Sequence, residues 1–300
     1  MKKIEKFGKI EEHYEVLDMF GYGGQGDLFT GRDRKNGRKV ALKVQKPWGL
    51  EPKTDFRWAG ETLLKEGSRM AAMTEIEAIP EIIATGTYKG RGCLVMEYIE
   101  GRQLRDVLMA SRPVRYPDAV ASIIGQLCQI LREVHDKGMV HCDLKPENVI
   151  VEPDGRLRLI DMGHAVEMGV ETQCPHGTLG YASPEQWDTN PAGLTEQADI
   201  FGLGCMVLEM TIMWLPYGGL EARVPKDYPV LPPDRLDALP AEFAPLALQM
   251  VQWEAKHRPT DVREVFDRLR PHLPPLGSSQ PSRRLRPDPR EYYRTHLPRL

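Results

Sequence analysis

The stretch His141-Cys142-Asp143-Leu144-Lys145-Pro146-Glu147-Asn148 and the two short apolar runs that follow it are the most informative part of this 300-residue chain. The runs cover residues 148–151 and 157–160, and between them lies Pro153-Asp154-Gly155, a strong turn signal. We therefore expect the runs to pair as an antiparallel hairpin centred between Asp154 and Gly155.

The predicted hairpin places two polar residues opposite each other. In this register Asn148 faces Asp161, and opposed residues of antiparallel strands lie roughly 5 Å apart. An amide oxygen and a carboxylate at that separation suit a hard cation such as Mg²⁺. Asp143 and Lys145, on the loop that enters the hairpin, add a candidate base and a candidate phosphate contact. The stretch therefore predicts a phosphoryl-transfer site.

Composition and charge restrict the class of protein. Hydrophobic residues make up 41% of the chain and charged residues 28%, which predicts a soluble globular protein. The formal net charge of −3 gives the chain no overall attraction to nucleic acid or anionic membrane, so a nucleic-acid partner is not expected. A protein or small-molecule substrate is favoured, and composition leaves the oligomeric state open.

Targeting and redox features favour the cytoplasm. The basic N-terminus is not followed by an apolar run, so we expect no secretory signal. Residues 200–215 form the longest apolar stretch, which is too short to span a bilayer and predicts a buried core helix, with no membrane insertion. Five cysteines without paired metal spacing suggest a reducing compartment.

The first hundred residues predict a small antiparallel sheet and one main helix. From Tyr14 to Val44 the pattern is strand, glycine loop, strand, Asn36-Gly37 turn and strand. A helix is expected over residues 61–73, followed by strands near 82–85 and 93–96.

Beyond Gly101 the pattern predicts mainly helices. We expect them over residues 104–109, 118–137, 195–213, 241–253 and 261–269. From Pro271 onward the chain is rich in proline and arginine, and we expect an extended or weakly ordered tail. The tail has three possible roles: a solvated end, a docking arm for an acidic partner or a nucleic-acid contact.

Residues 141–148 resemble the catalytic loop of protein kinases, and Asp161-Met162-Gly163 resembles their metal-binding triplet. Other motifs of the family follow in order: a glycine loop from Gly21 to Leu28, then Val40-Ala41-Leu42-Lys43, and Ser183-Pro184-Glu185. The chain is identified as resembling eukaryotic-type (Hanks-type) serine/threonine kinases, with Ser183-Pro184-Glu185-Gln186 typical of bacterial members.

The resemblance implies an α+β, two-lobed kinase fold with the N-lobe small and sheet-based and the C-lobe larger and mostly helical. We divide the chain into an N-terminal extension (1–13), an N-lobe (14–96), a hinge (97–101), a C-lobe (102–272) and a Pro/Arg-rich tail (273–300). The implied activity is ATP-dependent transfer of the γ-phosphoryl group to Ser/Thr hydroxyls of proteins, including this protein itself, with Mg²⁺, or alternatively Mn²⁺, as the metal.

The resemblance assigns the phosphate contacts of the first lobe. The backbone of the glycine loop closes over the ATP phosphates, and its glycines are Gly21, Gly23 and Gly26. Lys43 contacts the α- and β-phosphates and is held by a helix glutamate, for which we favour Glu66 over Glu61. A dinucleotide-binding glycine motif would be followed by a helix, whereas here a strand and a hairpin follow.

Around the catalytic loop, the resemblance makes Asp143 the residue that orients the substrate hydroxyl and accepts its proton. Lys145 neutralises the transferring phosphoryl group, and Asn148 and Asp161 hold metal ions. Thr178 is expected to bond both Asp143 and Lys145. Lys145 and the run from Gly177 to Tyr181 resemble serine/threonine-specific rather than tyrosine-specific kinases.

The adenine pocket is also implied by the resemblance. Its backbone contacts belong to the segment Met96-Glu97-Tyr98-Ile99, with Met96 at the rear. The side chains that would enclose the ring are Leu28, Ala41 and Ile150. For these residues a plain core role and a ligand role coincide.

Three further residues are expected to be structural. Glu185 and Arg258 should form a buried ion pair, and Asp199 should anchor the backbone of the catalytic loop.

Cys142 stands where many members of the family carry an arginine that binds a phosphate on the activation segment, here residues 161–185. Cysteine cannot make that charge-assisted contact, so we expect activity without phosphorylation of this segment, although Thr172 is present. A disulfide between Cys142 and Cys174 and a metal site with His176 are alternatives to free thiols.

Two other functions share this fold. A pseudokinase scaffold would usually lack the lysine or one of the aspartates, but Lys43, Asp143, Asn148 and Asp161 are all present. A small-molecule kinase of the antibiotic phosphotransferase type would not need residues 178–185, which shape a peptide-docking surface in protein kinases.

Overall fold

The computed structural model describes residues 4–22, 26–46, 56–110, 112–171, 177–187, 192–220, 228–280 and 285–300. The chain divides into two compact units. Unit 1 comprises residues 1–100 and 160–163, and unit 2 comprises residues 101–159 and 164–300.

Unit 1 is a six-stranded sheet with one long helix. The helix α1 covers Phe56–Ala72. The strands are β1 (Glu5–Lys9), β2 (Tyr14–Tyr22), β3 (Asp27–Asp33), β4 (Lys39–Val44), β5 (Ile82–Tyr88) and β6 (Arg91–Glu97). Their order in the sheet is β1-β5-β6-β4-β3-β2.

The sheet of unit 1 is mixed, whereas the sequence predicted a purely antiparallel one. The difference is β1, which pairs in parallel with β5 and lies in the region assigned to an N-terminal extension. The apolar residue Ile10 follows β1 directly, is fully buried and packs in one cluster with Tyr14, Val40 and Leu42. Burial of Ile10 therefore ties the N-terminal residues to the sheet.

Unit 2 is mainly helical, which together with unit 1 confirms the α+β class. Its helices are α2 (Leu104–Met109), α3 (Pro117–Asp136), α4 (Glu196–Ile212), α5 (Pro233–Asp237), α6 (Ala244–Met250), α7 (Val262–Leu269) and α8 (Arg290–Thr295). Its strands are β7 (Arg102–Gln103), β8 (Met139–Val140), β9 (Val149–Val151), β10 (Leu157–Leu159) and β11 (Val166–Glu167). Strands β10-β9-β7 form one small sheet, and β11 and β8 another.

Helices α3 and α4 form the core of unit 2. Apolar residues of α3 such as Leu127 and Leu131 are fully buried. Helix α4 carries the apolar stretch from Ile200 and is buried along nearly its whole length, which confirms the predicted core helix. Within the described residues, no helix is long and apolar enough to cross a membrane.

The hairpin of β9 and β10 is present, but the predicted register was wrong by one residue. Val149 opposes Leu159 and Val151 opposes Leu157, so the pairing that would place Asp161 opposite Asn148 does not form. The observed hairpin is centred on Asp154, and in its turn Gly155 adopts a positive φ of 85°. Its amide donates to the carbonyl of Glu152, and the amide of Glu152 bonds Arg156 across a three-residue loop.

The C-terminal residues are folded, contrary to the prediction of an extended or weakly ordered tail. Helix α8 lies there, and Leu285, Arg290 and Tyr293 are buried in unit 2. Burial of the apolar side chains of Leu285 and Tyr293 stabilises the segment, and ion pairs with carboxylates offset the cost of burying the charge of Arg290. Arg283 and Arg284, which contributed to the basic character of the tail, lie outside the described residues.

Candidate active site

In unit 1 a buried lysine lies between two carboxylates. Strand β4 places Lys43 so that its Nζ lies 2.8 Å from both carboxylate oxygens of Glu66 on α1. The same Nζ lies 3.1 Å from Oδ1 of Asp161. Glu66 is thus the carboxylate that holds Lys43.

Burial and the ion pairs set the charge states of this group. Burial lowers the pKa of Lys43, but the carboxylates of Asp161 and Glu66 outweigh this effect, so the pKa lies above its ordinary value. Burial also raises the pKa of Glu66, to about 7, against the opposing charge of Lys43. Lys43 is therefore a cation at neutral pH, directed at Asp161.

Helix α1 holds the Asp161 triplet through a second residue, Arg69, which the sequence analysis missed. Arg69 lies one turn after Glu66, and its Nη1 donates to the carbonyl of Gly163 at 3.0 Å. The amide of Gly163 in turn donates to Asp161 Oδ1 at 3.1 Å. A lone arginine on a predicted helix carries no local signal for this contact.

The described part of the glycine loop has little room for side chains at its glycines. A Cβ atom at Gly26 would lie 2.8 Å from the carbonyl oxygen of Val44, which the backbone cannot accommodate without moving. At Gly21 it would meet the side chain of Leu28 at 3.3 Å. Gly23 lies outside the described residues.

The residues predicted to contact adenine are found in both units. In unit 1, Ala41 on β4 opposes Met96 on β6, and both are buried. Leu28 on β3 is partly exposed, as is Glu97, whose amide bonds the carbonyl of Glu81. Ile99 is buried after β6. In unit 2, Ile150 is a partly exposed residue of β9.

In unit 2 a hydrogen-bonded cluster surrounds Asp143. Lys145 Nζ donates to Asp143 Oδ2 at 2.8 Å, and Thr178 Oγ1 donates to Asp143 Oδ1 at 2.6 Å. Lys145 also donates to Thr178 Oγ1. Asn148 Nδ2 donates to the carbonyl and to Oδ2 of Asp143, at 2.8 and 2.9 Å. Four of the predicted site residues therefore contact one another, including the expected Thr178 contacts.

The cluster keeps Asp143 ionised. Burial raises the pKa of the carboxyl, but the charge of Lys145 and the hydrogen bonds from Lys145 and Thr178 outweigh it, so the pKa lies below its ordinary value. Asp143 is only 2% exposed, so its two oxygens are held in fixed directions. A carboxylate so placed can orient a hydroxyl and accept a proton from it.

The backbone of the catalytic loop is anchored by Asp199 on α4, as predicted. Its carboxylate accepts from the amides of His141 and Cys142 at 2.9 and 2.8 Å. Cys142 has a φ of 65°, an unfavourable conformation that these bonds help to hold. His135 Nε2 lies 2.8 Å from the same carboxylate. These contacts fix the position of Asp143.

An ion-pair cluster beside the catalytic loop was not predicted. Arg105 on α2 bonds Glu147 of the loop, Glu209 on α4 and the hydroxyl of Tyr181, the last at 2.7 Å. Tyr181 also bonds Glu209. Since the cluster includes Glu147 and Tyr181, it links the catalytic loop to the segment that begins at Gly177.

The predicted Glu185–Arg258 ion pair is confirmed. Arg258 Nη1 and Nη2 lie 2.6 and 2.9 Å from the two carboxylate oxygens, and the guanidinium is buried. The pair is bidentate, which gives it directional strength. It holds Glu185, at the end of the activation segment, to the helical core of unit 2.

Cys142 lies in an apolar environment. It packs in a cluster with Val140, Val166, Leu194 and Ala198. Among the described cysteines, Cys93, Cys128 and Cys205 are free thiols. Thr172, Cys174 and His176, which bear on phosphorylation, disulfide formation and metal binding, lie outside the described residues.

Comparison with known proteins gives a family match and several relatives. A protein kinase domain model matches residues 14–268. The serine/threonine-protein kinase pkn2 of Myxococcus xanthus is 29% identical over 280 residues, which cover 87% of this chain and 32% of the relative. The serine/threonine-protein kinase PknB of Mycobacterium tuberculosis is 25% identical over 88% of this chain and 43% of its own length. This chain thus spans less than half the length of these two relatives.

Proposed function

Because the chain belongs to the protein kinase family, we propose that it transfers the γ-phosphoryl group of ATP to serine or threonine hydroxyls of proteins, including itself. The observation that carries the proposal is the cluster in which Lys145, Thr178 and Asn148 all bond Asp143. A binding scaffold has no need to hold a carboxylate ionised and oriented in this way.

In the proposed reaction, Asp143 orients the hydroxyl of the substrate and accepts its proton. The hydroxyl oxygen forms a bond to the γ-phosphorus while the bond from that phosphorus to the β–γ bridging oxygen breaks, and ADP leaves. Lys145 already bonds Asp143, and its charge would also neutralise the transferring group. Thr178 holds both side chains, so it would fix the direction in which Asp143 faces the hydroxyl.

Lys43 would bind the α- and β-phosphates of ATP. Glu66 holds its Nζ and so fixes the position of its charge. The described glycines of the loop, Gly21 and Gly26, allow the backbone to approach its neighbours closely, as a phosphate-binding loop requires. For adenine, we propose contacts with Leu28, Ala41, Met96, Glu97, Ile99 and Ile150.

Divalent cation binding is assigned to Asn148 and Asp161. Both hydrogen bonds described for the Asn148 amide group use Nδ2, so its Oδ1 is the oxygen that suits a hard cation, and the Asp161 carboxylate is a second ligand of the same kind. Mg²⁺, or Mn²⁺ in its place, would neutralise charge on the phosphate oxygens. The family uses ATP with a divalent metal, and the preference for Mg²⁺ is our proposal.

Proteins are the proposed substrates, and serine or threonine the proposed acceptors. Lys145 contacts Asp143 and Thr178 as the resemblance to serine/threonine kinases leads one to expect. We further propose a reducing compartment such as the cytoplasm, which the free thiols among the described cysteines support. Nucleic-acid partners are not part of the proposal.

The test is incubation of the purified protein with radiolabelled ATP, Mg²⁺ and a general basic protein substrate, followed by phosphoamino-acid analysis. We expect label on serine or threonine in the substrate and in the protein itself. Asp143→Asn should lower the rate at least about 100-fold, because it removes the base. Lys43→Met is the second control.

Two outcomes would favour the other functions. No label in either protein, with ATP binding retained, would identify a pseudokinase scaffold. Label only in small molecules such as aminoglycosides, and none in proteins, would identify a small-molecule kinase.

A further inference from the structure

The folded C-terminal segment, residues 285–300, lies beyond residue 268, where the match to the protein kinase domain ends. It contains helix α8, and Tyr293 on this helix is 1% exposed. The hydroxyl of Tyr293 donates to Gln129 on α3 at 2.7 Å. The segment is thus an integral part of unit 2 that the family motifs do not account for.

Arg290 anchors the segment to the start of α3. Its Nη2 lies 2.8 Å from Asp288 Oδ2, and its Nη1 lies 3.2 Å from Asp118 on α3. The side chain is 1% exposed and its guanidinium lies over the ring of Tyr116. A buried guanidinium is costly without carboxylate partners, so docking of the segment depends on Asp118 and Asp288.

Gln126 joins the segment to the β9–β10 hairpin. This buried side chain of α3 donates from Nε2 to the carbonyls of Gly155 and Pro289, at 3.0 and 3.1 Å. Its Oε1 accepts from the amide of Leu157 at 2.9 Å. One amide group therefore holds both the turn of the hairpin and the start of α8.

The segment also lies directly against the hairpin turn. A Cβ atom at Gly155 would lie 2.3 Å from the carbonyl oxygen of Asp288. The backbone of Asp288 therefore lies so near Gly155 that the turn has no room for a side chain at this position.

A second connection runs through β7, which pairs with β9. Arg102 on β7 donates from Nη1 to the carbonyl of Arg286 at 3.0 Å and opposes Val151 on β9. The next residue, Gln103, donates to the carbonyl of Glu147 at 3.2 Å. Glu147 precedes Asn148, so the segment is linked to the hairpin at its turn and, through β7, beside the catalytic loop.

We propose that residues 285–300 are a positioning element of the catalytic site: the docked segment holds the β9–β10 hairpin and, through it, Asn148 in the position that binds the divalent cation. The inference rests on the proposed kinase function. Arg290 and Arg102 act through the hairpin and not on substrate, so they are positioning residues.

The test compares Arg290→Met with wild type in the full chain. Met keeps much of the side-chain volume and removes both ion pairs. We expect the Mg²⁺ concentration for half-maximal activity at saturating ATP to rise about tenfold, the lower end of the effect of residues that orient metal ligands. Hydrogen exchange should become faster at the amide of Leu157. Arg299→Ala is the matched control, because it removes an exposed arginine of the same segment.

A readout without turnover separates this inference from the proposed function. Calorimetric titration with ADP, with and without Mg²⁺, should show that Arg290→Met loses affinity only when Mg²⁺ is present. If wild type transfers no phosphate, the kinase proposal fails, and this titration still decides the positioning role. Equal Mg²⁺ dependence and equal titrations in wild type and variant would overturn the inference.

Arg102→Ala keeps the test decisive if Arg290→Met does not fold. Arg102 is exposed, so its replacement leaves the core intact while it breaks the bond to the carbonyl of Arg286. The same shift in Mg²⁺ dependence, of smaller size, is expected. An unchanged Mg²⁺ midpoint in a folded Arg102→Ala protein would contradict the positioning role.

Discussion

Arg69 Nη1 donates a hydrogen bond of 3.0 Å to the carbonyl of Gly163, so helix α1 contacts the Asp161 triplet directly within unit 1. Glu66, one turn earlier, bonds Lys43, and Lys43 bonds Asp161, two residues before Gly163. Each contact restricts the others, because α1 cannot shift without disturbing both Lys43 and the triplet.

We expect Arg69→Met to weaken the use of the divalent cation. Without the hydrogen bond from Arg69, the carbonyl of Gly163 is no longer held in place. The Asp161 carboxylate can then turn away from Lys43. The Mg²⁺ midpoint for activity should rise about tenfold or more. Arg69→Lys, which keeps a donor at this position, should recover part of the loss. Unchanged Mg²⁺ dependence in Arg69→Met would show that the contact has no positioning role.

Thr178→Ala should reduce the rate of phosphoryl transfer strongly while the protein remains folded. The hydroxyl bonds both Asp143 and Lys145, so its removal takes away the hydrogen bond that orients Asp143 Oδ1 while the bonds to Oδ2 remain. We expect kcat to fall about 10- to 100-fold with little change in KM for ATP, since the lost contact orients the base. Thr178→Ser retains the hydroxyl and should stay close to wild type. A parallel loss in both variants would point to packing of the methyl group instead.

The parts of the site that the sequence revealed are those encoded by local motifs. Asp143, Lys145 and Asn148 lie within six residues of one another, and a loop this short brings them together in any fold that retains it. Thr178 was found because the family resemblance supplied a contact across the chain. The predicted pairing of Asn148 with Asp161 was wrong because the hairpin is centred on Asp154, with a three-residue turn in which Gly155 has a positive φ. No composition rule fixed that conformation.

The missed features depend on partners far away in the chain. Arg105 reaches Glu209, 104 residues later, and neither residue lies in a recognisable pattern. Arg290 can be buried because Asp118, 172 residues earlier, forms an ion pair with its guanidinium. From sequence alone, an arginine in a Pro- and Arg-rich stretch is assigned to solvent, since the cost of burying it is visible but the partner that offsets the cost is not.

Replacement of Thr172 by alanine should leave activity within about twofold of wild type. In many relatives of this fold an arginine precedes the catalytic aspartate and binds a phosphate on the activation segment. Here Cys142 occupies that position and is buried among Val140, Val166 and Ala198. A cysteine side chain cannot make the charge-assisted contact that an arginine makes with a phosphate. Phosphopeptide mapping and activity assays of Thr172→Ala before and after incubation with ATP provide the measurement. Loss of activity in this variant, with the fold retained, would refute the prediction.

The stability of the protein should fall as pH rises from about 6.5 to 9 because of His135. Burial lowers the pKa of the imidazole, but the nearby carboxylates of Asp199 and Glu196 outweigh burial and raise the pKa from 6.5 to about 9. A pKa raised by folding means that the folded state binds the proton more tightly. The contribution is thus complete below pH 6.5 and is lost as pH rises through 9.

The contribution of His135 to the free energy of unfolding is about 3 kcal/mol at most, from the difference between its pKa values in the folded and unfolded states. Denaturant unfolding at a series of pH values should show this loss in wild type, and His135→Gln should be less stable at pH 6 and lack this part of the slope. Because Asp199 also holds the amides of His141 and Cys142, the rate of transfer should decline over the same pH range. Equal slopes in wild type and His135→Gln would mean that the imidazole is not the group that carries the proton.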